Sequence, residues 1–306
     1  MTKQKKESEK KFTFSSLFQK SVDEYKDNFK PILKLVLIFS GIILLVSMLF
    51  QVISFISDET VFQIVSNPEL IEQYNLGLIS FPLYYSITNG ILGLISFFLT
   101  FFVGASLISV SLKKSKFSYK DLLEGGKSKY WRYIGFSIVT GIFILLWTLL
   151  LIIPGIIFGV YWAFAVYVFF DKDKKIMGSL KESRKIVKGR WWKTFGYLLL
   201  FGLVTLLIVI VASVVELPTY LVMMANIFSS TDISLGVLIV SSITNVIYQF
   251  LVALVVSPLF ILFLKNFYFE MKKSVKESPE KKAKETKKEA KSSKKGKNKN
   301  KFIKKK

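Results

Sequence analysis

Residues 133–170 read YIGFSIVTGIFILLWTLLLIIPGIIFGVYWAFAVYVFF, an apolar run without a single charge. One bilayer crossing needs ~20 residues at about 1.5 Å each, so the run is too long for one helix and long enough for two. Pro154-Gly155 lies inside it, where a helix is expected to stop and restart. The stretch therefore reads as a helical hairpin, down from Tyr133 to Ile153 and back from Pro154 to Phe170. Lipid leaves few alternatives, because backbone amides in hydrocarbon must be paired internally. The flanks fit this reading. Trp131-Arg132 precedes the run, the charged segment Asp171 to Arg190 follows it, and Trp191-Trp192-Lys193 closes the unit.

Working outward, four more apolar stretches carry the same signature. Span one is Leu35 to Ile56, span two about Ser86 to Leu112, span five Thr194 to Val215 and span six Val237 to Leu264, with Pro258 near its inner end. Hydrophobic residues make up 52% of 306 while 21% are charged, and mean hydropathy is +0.45. Both facts hold only because charge and apolarity are segregated along the chain. The fold class is all-α: a polytopic membrane protein of six transmembrane helices with cytoplasmic interfacial amphipathic helices. Its domains are an N-terminal segment 1–34, a membrane domain 35–271 and a lysine-rich tail 272–306.

The charge map sets the expected topology. All 43 basic residues fall in segments 1–34, 113–132, 172–193 and 265–306, and the two remaining loops hold none. Lys and Arg accumulate in cytoplasmic loops. The four basic segments are thus expected to face the cytoplasm, with both termini inside and the protein in the cell membrane. Span four, read from Pro154 to Phe170, reaches only ~25 Å against a core of ~30 Å. A re-entrant hairpin that never crosses satisfies the same map.

Shorter elements sit between the spans. Phe14, Leu17, Phe18, Ser21, Val22 and Tyr25 share one helical face, suited to the membrane interface or to the ends of neighbouring spans. The leading segment is too long and too acidic for a signal-peptide n-region. Val61, Phe62, Ile64 and Val65 predict a short helix ended by Asn67-Pro68. Another, with Ser118 as N-cap and Tyr119, Leu122 and Leu123 on one face, is predicted to end at Gly125-Gly126.

A shift of 162 residues lays Gln19–Phe29 on Lys181–Trp191 without a gap, so that Ser21 meets Ser183, Lys26 meets Lys188 and Phe29 meets Trp191. A looser copy ends at Tyr130-Trp131-Arg132. Each copy orders an amphipathic helix, a basic–aromatic anchor and two spans, which suggests a threefold helix-plus-hairpin repeat. Convergent interface chemistry is the competing explanation.

The sequence holds no His and no Cys, which removes imidazole and thiolate chemistry and disulfides. No charge lies inside any proposed span, so a mid-membrane proton relay is not expected. Intramembrane hydrolysis is not expected either, since no base accompanies a nucleophile there. No cofactor or metal is called for. Asn89, Asn245 and Gln249 are the strongest polar groups at membrane depth, with interhelical hydrogen bonding as their default role. Gly155, Gly159 and Ala163 follow small-xxx-small spacing behind Pro154 and form a packing face or hinge.

Ile153-Pro154-Gly155-Ile156-Ile157, Tyr161-Trp162-Ala163-Phe164-Ala165, Asp171, and the stretch Leu180 to Lys193 with Ser183, Lys188 and Gly189 form a signature. It resembles that of prokaryotic multi-pass proteins of a domain-of-unknown-function group. These are related to the membrane domains attached to some glycerophosphodiester phosphodiesterases. The likeness covers residues 12 to about 270 in architecture and 150–195 in motif. It implies a fold and a membrane location, with Asp171, Ser183, Lys188 and Gly189 as family-like positions. Some relatives carry arginine near Tyr161, and this chain does not. No soluble phosphodiesterase domain follows span six, so that activity is not expected.

The tail from Lys272 to Lys306 carries seventeen lysines against four glutamates, giving +13 of the total +22. So little apolar content predicts a segment that does not pack. Its expected partners are anionic lipid headgroups, at about 1 kcal/mol per basic residue near the surface. Nucleic acid or the ribosome is the alternative. Three functions compete: lipid handling, sensing or organisation without catalysis; a transporter or facilitator subunit for a neutral or amphipathic substrate; and a membrane-protein insertase-like factor.

Overall fold

The computed structural model describes residues 12–77, 79–229 and 233–276. Helix α1 (Phe14–Asp27) opens on a capping box between Thr13 and Ser16, which satisfies orphan N–H groups of its first turn. The first spanning helix, α2 (Phe29–Ser57), follows and carries a π-helical turn at Leu37–Gly41. Two short helices come next, α3 (Glu59–Ser66) capped by Asp58 and α4 (Pro68–Asn75) capped by Asn67. Asn67-Pro68 thus ends one helix and starts another, because proline fits the first helical position.

Helices α5 (Leu83–Ser111) and α6 (Tyr119–Leu150) make the most extensive contact in the molecule. Here the structure corrects the reading of Gly125-Gly126 as a stop. Both residues lie inside the continuous helix α6. A Cβ on Gly126 would lie 2.7 Å from the Phe102 ring, and one on Gly125 would lie 2.5 Å from Ser109 Oγ. The pair lets two backbones approach, which is the use small residues have between membrane helices.

The hairpin turns at Leu151, earlier than Pro154-Gly155. Pro154 sits in the first turn of α7 (Ile152–Trp162), where its missing N–H costs nothing. After a break at Ala163-Phe164 the chain continues as α8 (Ala165–Lys172). The two form a 21-residue span, about 31 Å if straight, which matches a hydrocarbon core where the shorter Pro154–Phe170 segment did not. Then come α9 (Ile176–Val187), α10 (Trp191–Ser213), α11 (Leu217–Phe228) and α12 (Leu235–Lys276). Helix α12 runs past the expected boundary at residue 271. The tail beyond Lys276 lies outside the described residues, as does the segment before Phe12.

Among the described residues, six helices are long and apolar enough to cross a membrane. The main core is not at their middle. It gathers Ile32, Leu35 and Val36 of α2, Val103 to Val110 of α5, Phe164 to Phe170, and Leu254 to Met271 of α12. These are the ends nearest the basic segments. The opposite halves stay exposed: Leu83 to Phe98 on α5, Ile138 to Ile153 around the hairpin turn, Leu199 to Val214 on α10. Hydrocarbon is as apolar as leucine, so such faces gain little by packing together. A small second cluster, Phe55, Val61, Ile233 and Leu238, ties α2 and α3 to the start of α12 at the other end. Chemistry that discriminates is therefore to be sought where the ends converge.

Candidate functional site: the basic end of the bundle

The second half of α12 is the column on which this end is assembled. Pro258 lies inside that helix, and proline deprives the carbonyl four residues back of its donor. That carbonyl, Leu254 C=O, instead accepts from the Tyr25 hydroxyl of α1 at 3.2 Å. One turn later Tyr167 of α8 donates to Ile261 C=O at 2.9 Å. Lys265 then pairs with Glu24 of α1, their side chains 6% and 8% exposed. Asn266 adds bonds to Ser21 Oγ at 3.1 Å and to Glu24 Oε2 at 3.3 Å. Charges so buried persist only with partners on most sides, and these have them.

Further down, Tyr268 donates to Asp171 at 2.7 Å and Lys272 pairs with the same carboxylate. Arg190 reaches Ser274 Oγ at 2.6 Å and Ser274 C=O at 3.1 Å. Asn28 does similar work for the loop after α5, donating to Ser115 C=O and accepting from Phe117 N–H at 2.9 Å. Helices α1 and α9 thus dock on the same end of the bundle.

Ser183 is the most informative of the family-like positions. It is fully buried and sits against the break in span four. Its hydroxyl donates to Tyr161 C=O at 2.7 Å and accepts from Phe164 N–H at 3.2 Å. Two backbone groups that the broken helix leaves open are closed by one side chain from α9. Asp171 anchors α12 as described. Lys188 is exposed and ends α9, and Gly189 holds φ +81°, a left-handed conformation that glycine adopts without strain.

Helix α9 divides cleanly by face. Ser179, Leu180, Ser183, Ile186 and Val187 are buried, whereas Lys181, Arg184, Lys185 and Lys188 are exposed. Arg184 lies over the Tyr161 ring at 5.3 Å and the Phe158 ring at 5.9 Å. Trp192, four residues after Lys188 in the sequence, is 77% exposed, and Trp131 on α6 is 74% exposed. Glu182 binds Lys172 and Lys174. Burial pushes its carboxyl up, but the two ammonium groups outweigh that and hold it below the ordinary glutamate value. Arg132 and Lys129 hold Asp173, in the turn after α8, below the usual aspartate range in the same way.

The remaining predicted residues divide. Gly155 is at a close approach, since a Cβ there would lie 3.0 Å from the Thr148 backbone of the facing arm. Gly159 is not, because a Cβ there would meet nothing within 4 Å; the small-residue face is one contact long. Ala163 is at the break itself. Among the described residues, Asn89 donates to Tyr85 C=O of its own helix at 3.0 Å. Asn245 bonds outside its own helix, donating to Glu216 Oε1 in the turn before α11 at 3.0 Å, and Gln249 donates to Asn245. The sequence reading missed Glu216, which is 6% exposed, and missed the Lys265–Glu24 pair. Glu24 had one signal, its place seven residues after Leu17 and three after Ser21 on the apolar face of α1.

A family model described as the membrane domain of glycerophosphoryl diester phosphodiesterase matches residues 136–306, more than half of the chain. That range holds the hairpin, the break with Ser183, helix α9 and the α12 column. No curated protein and no solved structure matches the chain.

Proposed function

Because the chain belongs to the family of the membrane domain of glycerophosphoryl diester phosphodiesterase, we propose that it is a non-enzymatic multi-pass membrane protein that binds and organises anionic lipid at its basic end. The observation that carries this reading is helix α9. Its inner face is locked onto span four by Ser183, while its outer face offers Lys181, Arg184, Lys185 and Lys188, with the exposed Trp192 four residues further along the sequence. Tryptophan belongs at headgroup depth, and each basic residue there is worth about 1 kcal/mol toward an anionic surface. The +13 tail adds the same preference. In mixed-lipid nanodiscs, lipid retained after purification is expected to be enriched in phosphatidylglycerol over the bulk ratio, as read by mass spectrometry. The triple substitution Lys181→Gln, Lys185→Gln, Lys188→Gln is expected to reduce that enrichment. Retention at the bulk ratio in the unsubstituted protein overturns the proposal.

The basic end is assigned to the cytoplasm of the cell, following the distribution of lysine and arginine. The native chain has no cysteine, so single cysteines report orientation cleanly. At the exposed positions Asn75 and Ser229 they are expected to react with an impermeant thiol reagent on intact cells. At Ser115 and Lys175 they are expected to stay unlabelled. Labelling at Ser115 reverses the assignment.

One observation favours transport as a second reading: span four is discontinuous at Ala163-Phe164, and broken helices line substrate paths in secondary transporters. Substrate flux in proteoliposomes at a rate set by protein density would favour this reading over lipid organisation.

A further inference from the structure

A cleft of about 370 Å³ opens between the end of α5, the first turns of α6 and the end of α8. It falls within the ~300–1,000 Å³ range of small-molecule sites. Its floor exists because Gly125 lets α6 approach Ser109 and Val110 of α5. Most of its charges are already committed. Lys114 pairs with Asp121 at 2.6 Å, Lys129 with Asp173 at 3.3 Å, and Asp171 with Lys272. Lys113 and Glu124 line the same cleft, and their side chains have no hydrogen-bond or ion-pair partner among the described residues. An anion alone would meet Glu124 and a cation alone would meet Lys113. A ligand carrying both charges satisfies both.

Two hydroxyls in the lining refine the choice. Ser109 spends its proton on Ser106 C=O at 3.1 Å, and Ser128 spends its own on Gly125 C=O at 3.1 Å. Their oxygens are left as acceptors. With the Glu124 carboxylate they make three acceptors, the number that a primary ammonium with three N–H groups can use. A trimethylated ammonium has no N–H to give. We propose that this cleft binds a zwitterionic phosphate head with a primary ammonium, its phosphate on Lys113 and its ammonium on Glu124, Ser109 and Ser128. The proposal rests on the reading that this end of the bundle binds lipid, and adds to the anionic preference of α9 a separate site for a zwitterionic head.

The full chain in nanodiscs that mix phosphatidylglycerol with equal phosphatidylethanolamine and phosphatidylcholine tests this. Retained lipid is expected to favour the ethanolamine form over the choline form by on the order of tenfold. Glu124→Gln is expected to bring that ratio near one while phosphatidylglycerol enrichment persists. Lys113→Gln is expected to lower ethanolamine-lipid retention in step. Both side chains are exposed, and unchanged melting temperatures confirm that the variants fold. Displacement of the lipid by soluble phosphoethanolamine supports the head chemistry and points to a free small molecule as a source; resistance to it assigns the site to the lipid. Equal retention of ethanolamine and choline forms, or a ratio that Glu124→Gln leaves unchanged, overturns the inference. Loss of phosphatidylglycerol enrichment as well would instead remove the broader reading.

Discussion

Replacing Lys265 with methionine is expected to destabilise the folded domain by about 3–5 kcal/mol, because it leaves the Glu24 carboxylate buried and without its cation. Both side chains are almost fully shielded, at 6% and 8% exposure, so solvent screening offers no relief. Asn266 still donates to Glu24, but one neutral amide does not replace an ammonium. The loss is expected to spread through α1, which also carries the Tyr25 bond to the carbonyl freed by Pro258. Denaturation in bicelles with both unfolding and α1 release monitored would measure it. The double substitution Glu24→Leu, Lys265→Met is the discriminating companion. An apolar pair of similar volume is often neutral or more stable than the ion pair it replaces, by about 1–4 kcal/mol. Recovery in the double variant is the expected result. A single Lys265→Met variant as stable as the parent would mean that the pair is solvated and that α1 is held by its apolar face alone.

Six spans were legible because each is a long apolar run and because every basic residue sits between runs in one alternating set of loops. Boundaries were harder. Pro154-Gly155 was read as the turn, but proline is equally at home in the first turn of a helix, and the chain reverses at Leu151. Gly125-Gly126 was read as a stop because a glycine pair looks the same in sequence whether it ends a helix or lets another helix approach. The break at Ala163-Phe164 had no glycine or proline to mark it. There Ser183, nineteen residues beyond Phe164, supplies the bonds that a regular helix would have made. Glu24 was hidden among the charges of a helix expected to lie in the interface. Its partner Lys265 looked like the first lysine of a basic flank rather than a residue in the core.

The Ser183 contact yields the second large expectation. Ser183→Ala removes the hydroxyl without adding bulk, leaving Phe164 N–H and Tyr161 C=O unpaired at a site where Ser183 and Phe164 are fully buried. An unsatisfied buried donor or acceptor costs about 1–3 kcal/mol, so the two together are expected to remove roughly 2–6 kcal/mol. The helix has one escape, which is to straighten and make its own bonds. That would rotate α8 relative to α7 and withdraw Tyr167 from Ile261 C=O and Asp171 from Tyr268. Either outcome loosens α9, whose basic face is then no longer held against span four. Hydrogen exchange should show faster opening at Phe164 and along Leu180 to Val187, with α2 and α5 little changed. Ser183→Thr retains the hydroxyl and is expected to restore protection at Phe164. If Ser183→Ala left exchange and melting temperature unaltered, the break would be intrinsic to span four and α9 would be a passenger on it.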